Sequence, residues 1–418
     1  MTTQTKLLVL GVASLLLCYA CGGGGGSDGA LSTAGGPGSG SGGSGAGGAG
    51  SGGSGSGGGL SGGACPSPTA GTTNGSETAF ATLVDPVVLQ EIRTQGLPGM
   101  TIAVAKNGAI LYSQGYGYAD LATCQPMPAN AEMEIGSLTK QFTAAAVLQL
   151  YSAGTLDMDK PLITYLPTYA FDPRITPRML LNQTSGLQDY LYFPELAQYS
   201  NGGPESVALN AIVQRTLDFT PGAAFEYSNS NYFILGSVIE AATSGTYADY
   251  LASHVLTPAG LSNTFYQRPA QSASPYEHSA SGPVPGRVFD PSVYFASGAL
   301  WSNVQDLSAW DAALLGSTAV ISQSSRTLML TPPAVPIFQS GVPSPYGMGL
   351  VQGGTLAGHP FVWHDGQTTS YTSFNGVLMD DGFSIAIVTN FPTQTSLLNF
   401  AETLIESICN SAATASSC

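Results

Sequence analysis

Ile135-Gly-Ser-Leu-Thr-Lys140, followed by Gln141 to Tyr151, is the stretch on which the reading of this chain turns. Leu138, Phe142, Ala145, Ala146, Val147, Leu148 and Leu150 predict a buried, central helix beginning at Ser137, ended by Ser152-Ala153-Gly154. Ser137 and Lys140 are three residues apart, so a helix places them on one face. A hydroxyl and an amine then stand together at a helix N-terminus, where the dipole favours negative charge. A serine hydroxyl is a poor nucleophile without a base, and a lysine serves as one if burial lowers its pKa. Taken singly, such a pair is more often a solvated helix start.

Two further segments carry related chemistry. Tyr227-Ser228-Asn229 follows Pro221-Gly222 and precedes a predicted helix from Tyr232. In an extended loop, Tyr227 and Asn229 face one way. The phenol can relay a proton, and the amide can hold a substrate carbonyl or Lys140; the plain alternative is a capping turn. His364-Asp365-Gly366 lies on or just after an aromatic-rich strand. Gly366 permits close backbone approach, and the N–H groups of Gln367 and Ser137 are candidates for an oxyanion hole. Here the plain alternative is a histidine closing a hairpin.

Ser-x-x-Lys, Tyr-x-Asn and His-x-Gly, in that order, resemble the serine β-lactamase and penicillin-binding protein superfamily. The likeness is to its class C branch of β-lactamases, D-alanyl-D-alanine carboxypeptidases, D-aminopeptidases and esterases. Glu134 to Leu150, Met179 to Leu187, Pro221 to Asn229, Ser297 to Ser302 with Asp306-Leu307, and Tyr346-Gly-Met-Gly349 extend it over roughly residues 77–409. The resemblance implies acylation of Ser137, with Lys140 and Tyr227 sharing base and acid work. Asn229 contacts substrate or Lys140, and His364 stands where many relatives carry Lys. It implies no metal or cofactor. Gln183 replaces a histidine usual in the family, at a position expected to be structural. His364 with Asp365 beside it weakens the case for a β-lactamase and disfavours an anionic substrate group. Gln367 and Ser370 replace common glycines and are expected to narrow that side of the cleft.

Outward from these motifs the pattern is α+β. Thr78 to Gln95 predicts a first helix, and Thr101–Ala105 and Ala109–Tyr118 predict strands around the Asn107-Gly108 turn. Residues 157–260 read as helices and loops. Tyr346–Gln352, Phe361–His364, Tyr371–Met379 and Phe383–Thr389 read as strands, and Gln394–Cys409 as a closing helix. The simplest assembly is one antiparallel sheet built from both ends of the chain and flanked by the terminal helices. A mostly helical subdomain is inserted, and the site falls in the cleft between the two parts.

Residues 1–20 read as a secretory signal, too short in its apolar run for a membrane span. Tyr19-Ala20-Cys21 resembles a bacterial lipoprotein cleavage site, with Cys18 where such sites usually carry Leu; Cys21 is the candidate lipidated residue. Residues 21–76, nearly all Gly, Ser and Ala up to Gly63, form a predicted tether with a reach of roughly 35–40 Å. Residues 77–410 form the expected hydrolase domain, and 411–418 a tail. A net charge of −15 with only 11 Lys and Arg argues against nucleic acid and against adhesion to anionic lipid. Membrane contact is expected only through the anchor. Cys65, Cys124, Cys409 and Cys418 lack zinc spacing and suit disulfides in an exported protein. Three pairings exist, and Cys65–Cys124 with Cys409–Cys418 is favoured.

The expected activity is that of an exported serine hydrolase, either a bacterial cell-envelope lipoprotein anchored at Cys21 or a secreted protein. It acts as a monomer through an acyl-enzyme on an amide or ester bond of a small-molecule or peptide substrate. D-Alanyl-D-alanine carboxypeptidase or D-aminopeptidase and esterase rank ahead of β-lactamase. A non-catalytic binder of cell-wall peptides is the reading of another class. A zinc site of His359, His364 and Asp365 is opposed by strand alternation, which separates the two histidines.

Overall fold

The computed structural model describes residues 65–67, 78–338, 345–412, 414 and 418. The expected signal segment, Cys21 and most of the expected tether lie outside them. Helix α1 (Thr78–Gln95) buries Phe80, Val84, Val88 and Ile92, four residues apart, and runs through Pro86. Strands β1 (Gly99–Lys106) and β2 (Ala109–Asp120) pair across the Asn107-Gly108 turn as predicted. A short strand, β3 (Gln125–Pro126), edges β2. Met100, Ile102 and Val104 enter one core and Ala103 the other, which is why β1 reads as a continuous apolar run.

The nucleophile segment departs from the sequence reading by two residues. Gly136–Leu138 forms a 3-10 turn, and α2 (Thr139–Ser152) follows it. Lys140, Gln141 and Thr143 are buried along with the apolar residues of α2. Helices α3 (Asn229–Thr243) and α4 (Val304–Asp311) flank α2. Trp310 of α4 stacks on Phe142 at 3.9 Å and donates Nε1–H to Gln141 Oε1 at 2.8 Å.

The chain then returns to strands β4 (Val351–Leu356), β5 (His359–Gln367), β6 (Thr372–Leu378) and β7 (Phe383–Thr389), and ends in α5 (Leu398–Asn410). The strand expected over Tyr346–Gln352 starts only at Val351. Tyr346 makes a single bridge to Val351, because Gly347 N–H turns back to the Leu350 carbonyl. The closing helix starts at Leu398, later than the expected Gln394.

The sheet order is β3-β2-β1-β7-β6-β5-β4, so the two ends of the chain meet in its middle. The β1–β7 register runs from Met100↔Thr389 to Lys106↔Phe383. At the end of that ladder Lys106 pairs with Asp381 at 2.8 Å, and Asn107 N–H donates to the Gly382 carbonyl. Helices α1 and α5 cover one face of the sheet; the helical part covers the other. The α+β arrangement is therefore the expected one. Cys65 is bonded to Cys124 and Cys409 to Cys418.

Asp85 of α1 accepts hydrogen bonds from the hydroxyls of Tyr112 and Tyr116 on β2. Asp85→Ala leaves two buried phenols without that acceptor. We expect a loss of about 1–3 kcal/mol, read from the denaturant midpoint, with the protein still folded.

Candidate active site

The site begins with two glycines. Glu134 pairs with Trp301, and Ile135 N–H donates to the Leu300 carbonyl, which fixes the chain entering the turn. Gly136 then adopts φ +51, and a Cβ there would lie 2.9 Å from the Gln367 nitrogen. A Cβ on Gly366 would lie 2.1 Å from the Ile135 carbonyl oxygen and 3.0 Å from the Ser137 nitrogen. Only glycine at both places lets β5 approach the turn this closely. The amides of Ser137 and Gln367 thus come to one end of a small cleft. Its walls are Gly136, Ser137, Leu191, Asn229, Tyr294 and Ser297, with Gly298, Gln367 and Thr368.

Lys140 has no exposed surface. Its Nζ lies 2.9 Å from Ser137 Oγ, 2.8 Å from Asn229 Oδ1 and 2.8 Å from the Ser297 carbonyl. Burial lowers its pKa to about 7, against the opposing pull of Asp189 and Asp365. A neutral amine can donate to Asn229 and Ser297 and keep its lone pair for the Ser137 hydroxyl. The Tyr227 ring centroid is 4.9 Å from Nζ, and Ser137 is among the groups that act on the phenol, opposing the effect of its burial. Burial pushes that phenol well above its ordinary pKa, so it stays protonated.

Asn229 is the first residue of α3 rather than part of an extended loop, yet it still faces Lys140 as its pairing with Tyr227 predicted. Its Nδ2 and backbone N–H both donate to Asp189 Oδ2, at 2.8 and 3.2 Å. That fixes which end of the amide meets Lys140. Asp189 carries no sequence signal of its own: its partner is 40 residues away, and only its place just after the Thr-Ser-Gly segment could have pointed to it. Gln183 is structural, as expected. Its Oε1 accepts from Ser228 N–H and its carbonyl from Glu226 N–H, bracing the loop on both sides of Tyr227.

His364 sits deeper than the sequence suggests. It is 1% exposed, and its ring lies 6.1 Å from that of Tyr227. Burial and the neighbouring Lys140 lower its pKa to about 3, so it is neutral. Nδ1–H donates to the Asp365 carbonyl, leaving Nε2 to accept the Tyr346 hydroxyl at 3.0 Å. Tyr346 in turn packs edge-on against Tyr227, with ring centroids 5.9 Å apart. The Asp365 carboxylate takes a bond from Ser396 and is not part of the cleft wall. Ser370 does not narrow the cleft: it is buried and donates to the Arg287 carbonyl. His359 pairs with Asp380 at the other end of β5, away from His364, and no group of three metal-ligating side chains occurs among the described residues.

Residues 79–409 match the family described as Beta-lactamase. The chain belongs to the beta-lactamase family. It is thereby a member of a serine hydrolase superfamily. It is 27% identical over 331 residues to Protein flp of Staphylococcus aureus strain MW2, covering 74% of this chain and 63% of that protein. It is 31% identical over 276 residues to a D-aminopeptidase of Brucella anthropi, covering 63% of this chain and 51% of that protein. The chain thus spans between half and two thirds of the length of these curated relatives. Among solved structures, a D-stereospecific amidohydrolase from Streptomyces sp. superposes with a TM-score of 0.66 at 25% identity, over 81% of this chain and 100% of that one.

The amine of Lys140 is a free base above its pKa and an ammonium below it. Hydrolysis measured as kcat/KM should therefore fall about tenfold per pH unit below pH 7 and level off above it. A profile flat from pH 5 to 9 would exclude Lys140 as the base.

Proposed function

We propose that this protein hydrolyses an amide or ester bond of a small-molecule or peptide substrate through an acyl-enzyme on Ser137. The observation that carries the reading is the 2.9 Å contact between Ser137 Oγ and a buried Lys140 amine of pKa about 7. The substrate carbonyl oxygen lies between the N–H groups of Ser137 and Gln367. As Ser137 Oγ bonds to the carbonyl carbon, its proton passes to the Lys140 lone pair. The oxyanion that forms is held by the two amides, each worth about 3–4 kcal/mol in such sites. When the intermediate collapses, the C–N or C–O bond breaks. The Tyr227 hydroxyl gives its proton to the leaving amine or alcohol and regains one from the Lys140 ammonium. Water repeats the sequence in reverse and frees Ser137.

Asn229 holds the amine and faces the substrate, while His364 packs behind Tyr227 both directly and through Tyr346. The D-aminopeptidase and D-stereospecific amidohydrolase relatives support amide chemistry on D-amino-acid compounds; an ester is the easier bond for the same machinery. Export is part of the proposal, with Cys21 as anchor, and the two disulfides support it.

A fluorophosphonate probe should add its mass to the intact wild-type protein at Ser137 and leave Ser137→Ala unlabelled. Lys140→Ala should slow labelling by about 10²–10⁴-fold. A folded wild type that takes no label would favour a non-catalytic binder of cell-wall peptides.

A further inference from the structure

The walls of the cleft carry no formal charge. Gly136, Ser137, Asn229, Ser297, Gly298, Gln367 and Thr368 supply polar or backbone groups, and Leu191 and Tyr294 supply apolar surface. Charges do lie behind these walls, and most of them are negative or already engaged. Lys140 has its three contacts with Ser137, Asn229 and the Ser297 carbonyl. Arg287 pairs with Glu277 at 3.3 Å and lies over the Phe289 ring. Arg268 lies over Trp301 and donates to Ser272. Asp189 and Asp365 are carboxylates within electrostatic reach of Lys140. A carboxylate entering this cleft would lose water, meet no cation among the described residues of its walls, and lie near the buried carboxyl groups of Asp189 and Asp365 behind them.

The apolar wall is built by the same residue that orients the amide. Asp189 Oδ1 accepts Leu191 N–H at 3.0 Å, and Asp189 Oδ2 holds Asn229. Leu191 is 38% exposed and Tyr192, next to it, 66%. Leu191 thus presents apolar surface in the cleft that a ligand's apolar group can cover. Tyr294, nearly buried, forms part of the same wall.

We infer that the substrate is an ester or amide without a carboxylate near the scissile bond, and with an apolar group that lies beside Asn229 against Leu191. This rests on the acyl-enzyme reading above and narrows it: neutral esters and amides are substrates, and free C-terminal peptides and penicillins, which carry a carboxylate, are poor ones.

The test uses the full chain and two aryl esters of equal length, p-nitrophenyl valerate and mono-p-nitrophenyl glutarate. The two esters share a leaving group and a chain length, so their kcat/KM values are compared directly after each ester's spontaneous hydrolysis is subtracted. Wild type should favour the valerate at least tenfold. Leu191→Arg should cut that ratio at least tenfold by raising the value for the glutarate, whereas Leu191→Met should preserve it. A wild-type ratio at or below one, or a ratio unmoved by Leu191→Arg, overturns the inference. If the fluorophosphonate still labels Ser137 in that case, the acyl-enzyme reading survives. No labelling together with no turnover of either ester overturns both.

Discussion

Burying the Lys140 amine sets the terms for everything around it. Without water its charge is disfavoured, and the two nearby carboxylates restore only part of what burial removes. The amine is left close to neutrality at physiological pH, with a lone pair beside a serine hydroxyl. Such a group tolerates few neighbours: the acceptors around it must satisfy its hydrogens without drawing it back to a full ammonium. An amide oxygen and a backbone carbonyl meet that requirement, and they are what Asn229 and Ser297 provide. Asp189 stays one shell out, where it holds the amide of Asn229 rather than the amine itself.

Much of this was legible in the sequence because the decisive contacts are local or carried by short motifs. Ser137 and Lys140 are neighbours on one turn, Tyr227 and Asn229 two residues apart, and Gly366 adjoins Gln367. The sheet was legible too, since β1, β2, β6 and β7 are short apolar runs bounded by Asn-Gly or Asp-Gly turns. What escaped were relations that pattern does not encode. Asp189 acts across 40 residues on a side chain of another element. His364 was expected to assist proton transfer or substrate binding because it stands where many relatives carry Lys. Strand alternation and the Tyr346 hydroxyl instead hold the ring in a buried pocket, where it stays neutral. Tyr346 itself was read as strand, although two glycines turn the chain just after it.

The same distinction explains the substitutions at Gln183 and Ser370. Both fall in motifs that mark the site, yet neither touches the cleft. Gln183 uses an amide oxygen to hold the loop carrying Tyr227, and Ser370 fastens the turn after β5 to the segment at Arg287. A hydrogen-bonding side chain of suitable length can replace another in a brace of this kind, because its work is done by one acceptor or donor at a fixed distance.

The sheet closes through β1 and β7, and Gln367, one of the two amides proposed to hold the oxyanion, sits at the end of β5. A ribosome delivers Ser137, Lys140, Tyr227 and Asn229 long before it delivers Gln367. Until then the nascent chain holds a serine and a lysine with no second donor, no β6 or β7 to lay beside β1, and nothing to exclude water from the amine. The meeting of the two amides therefore waits on the last strands, which occupy the place beside β1 left for them.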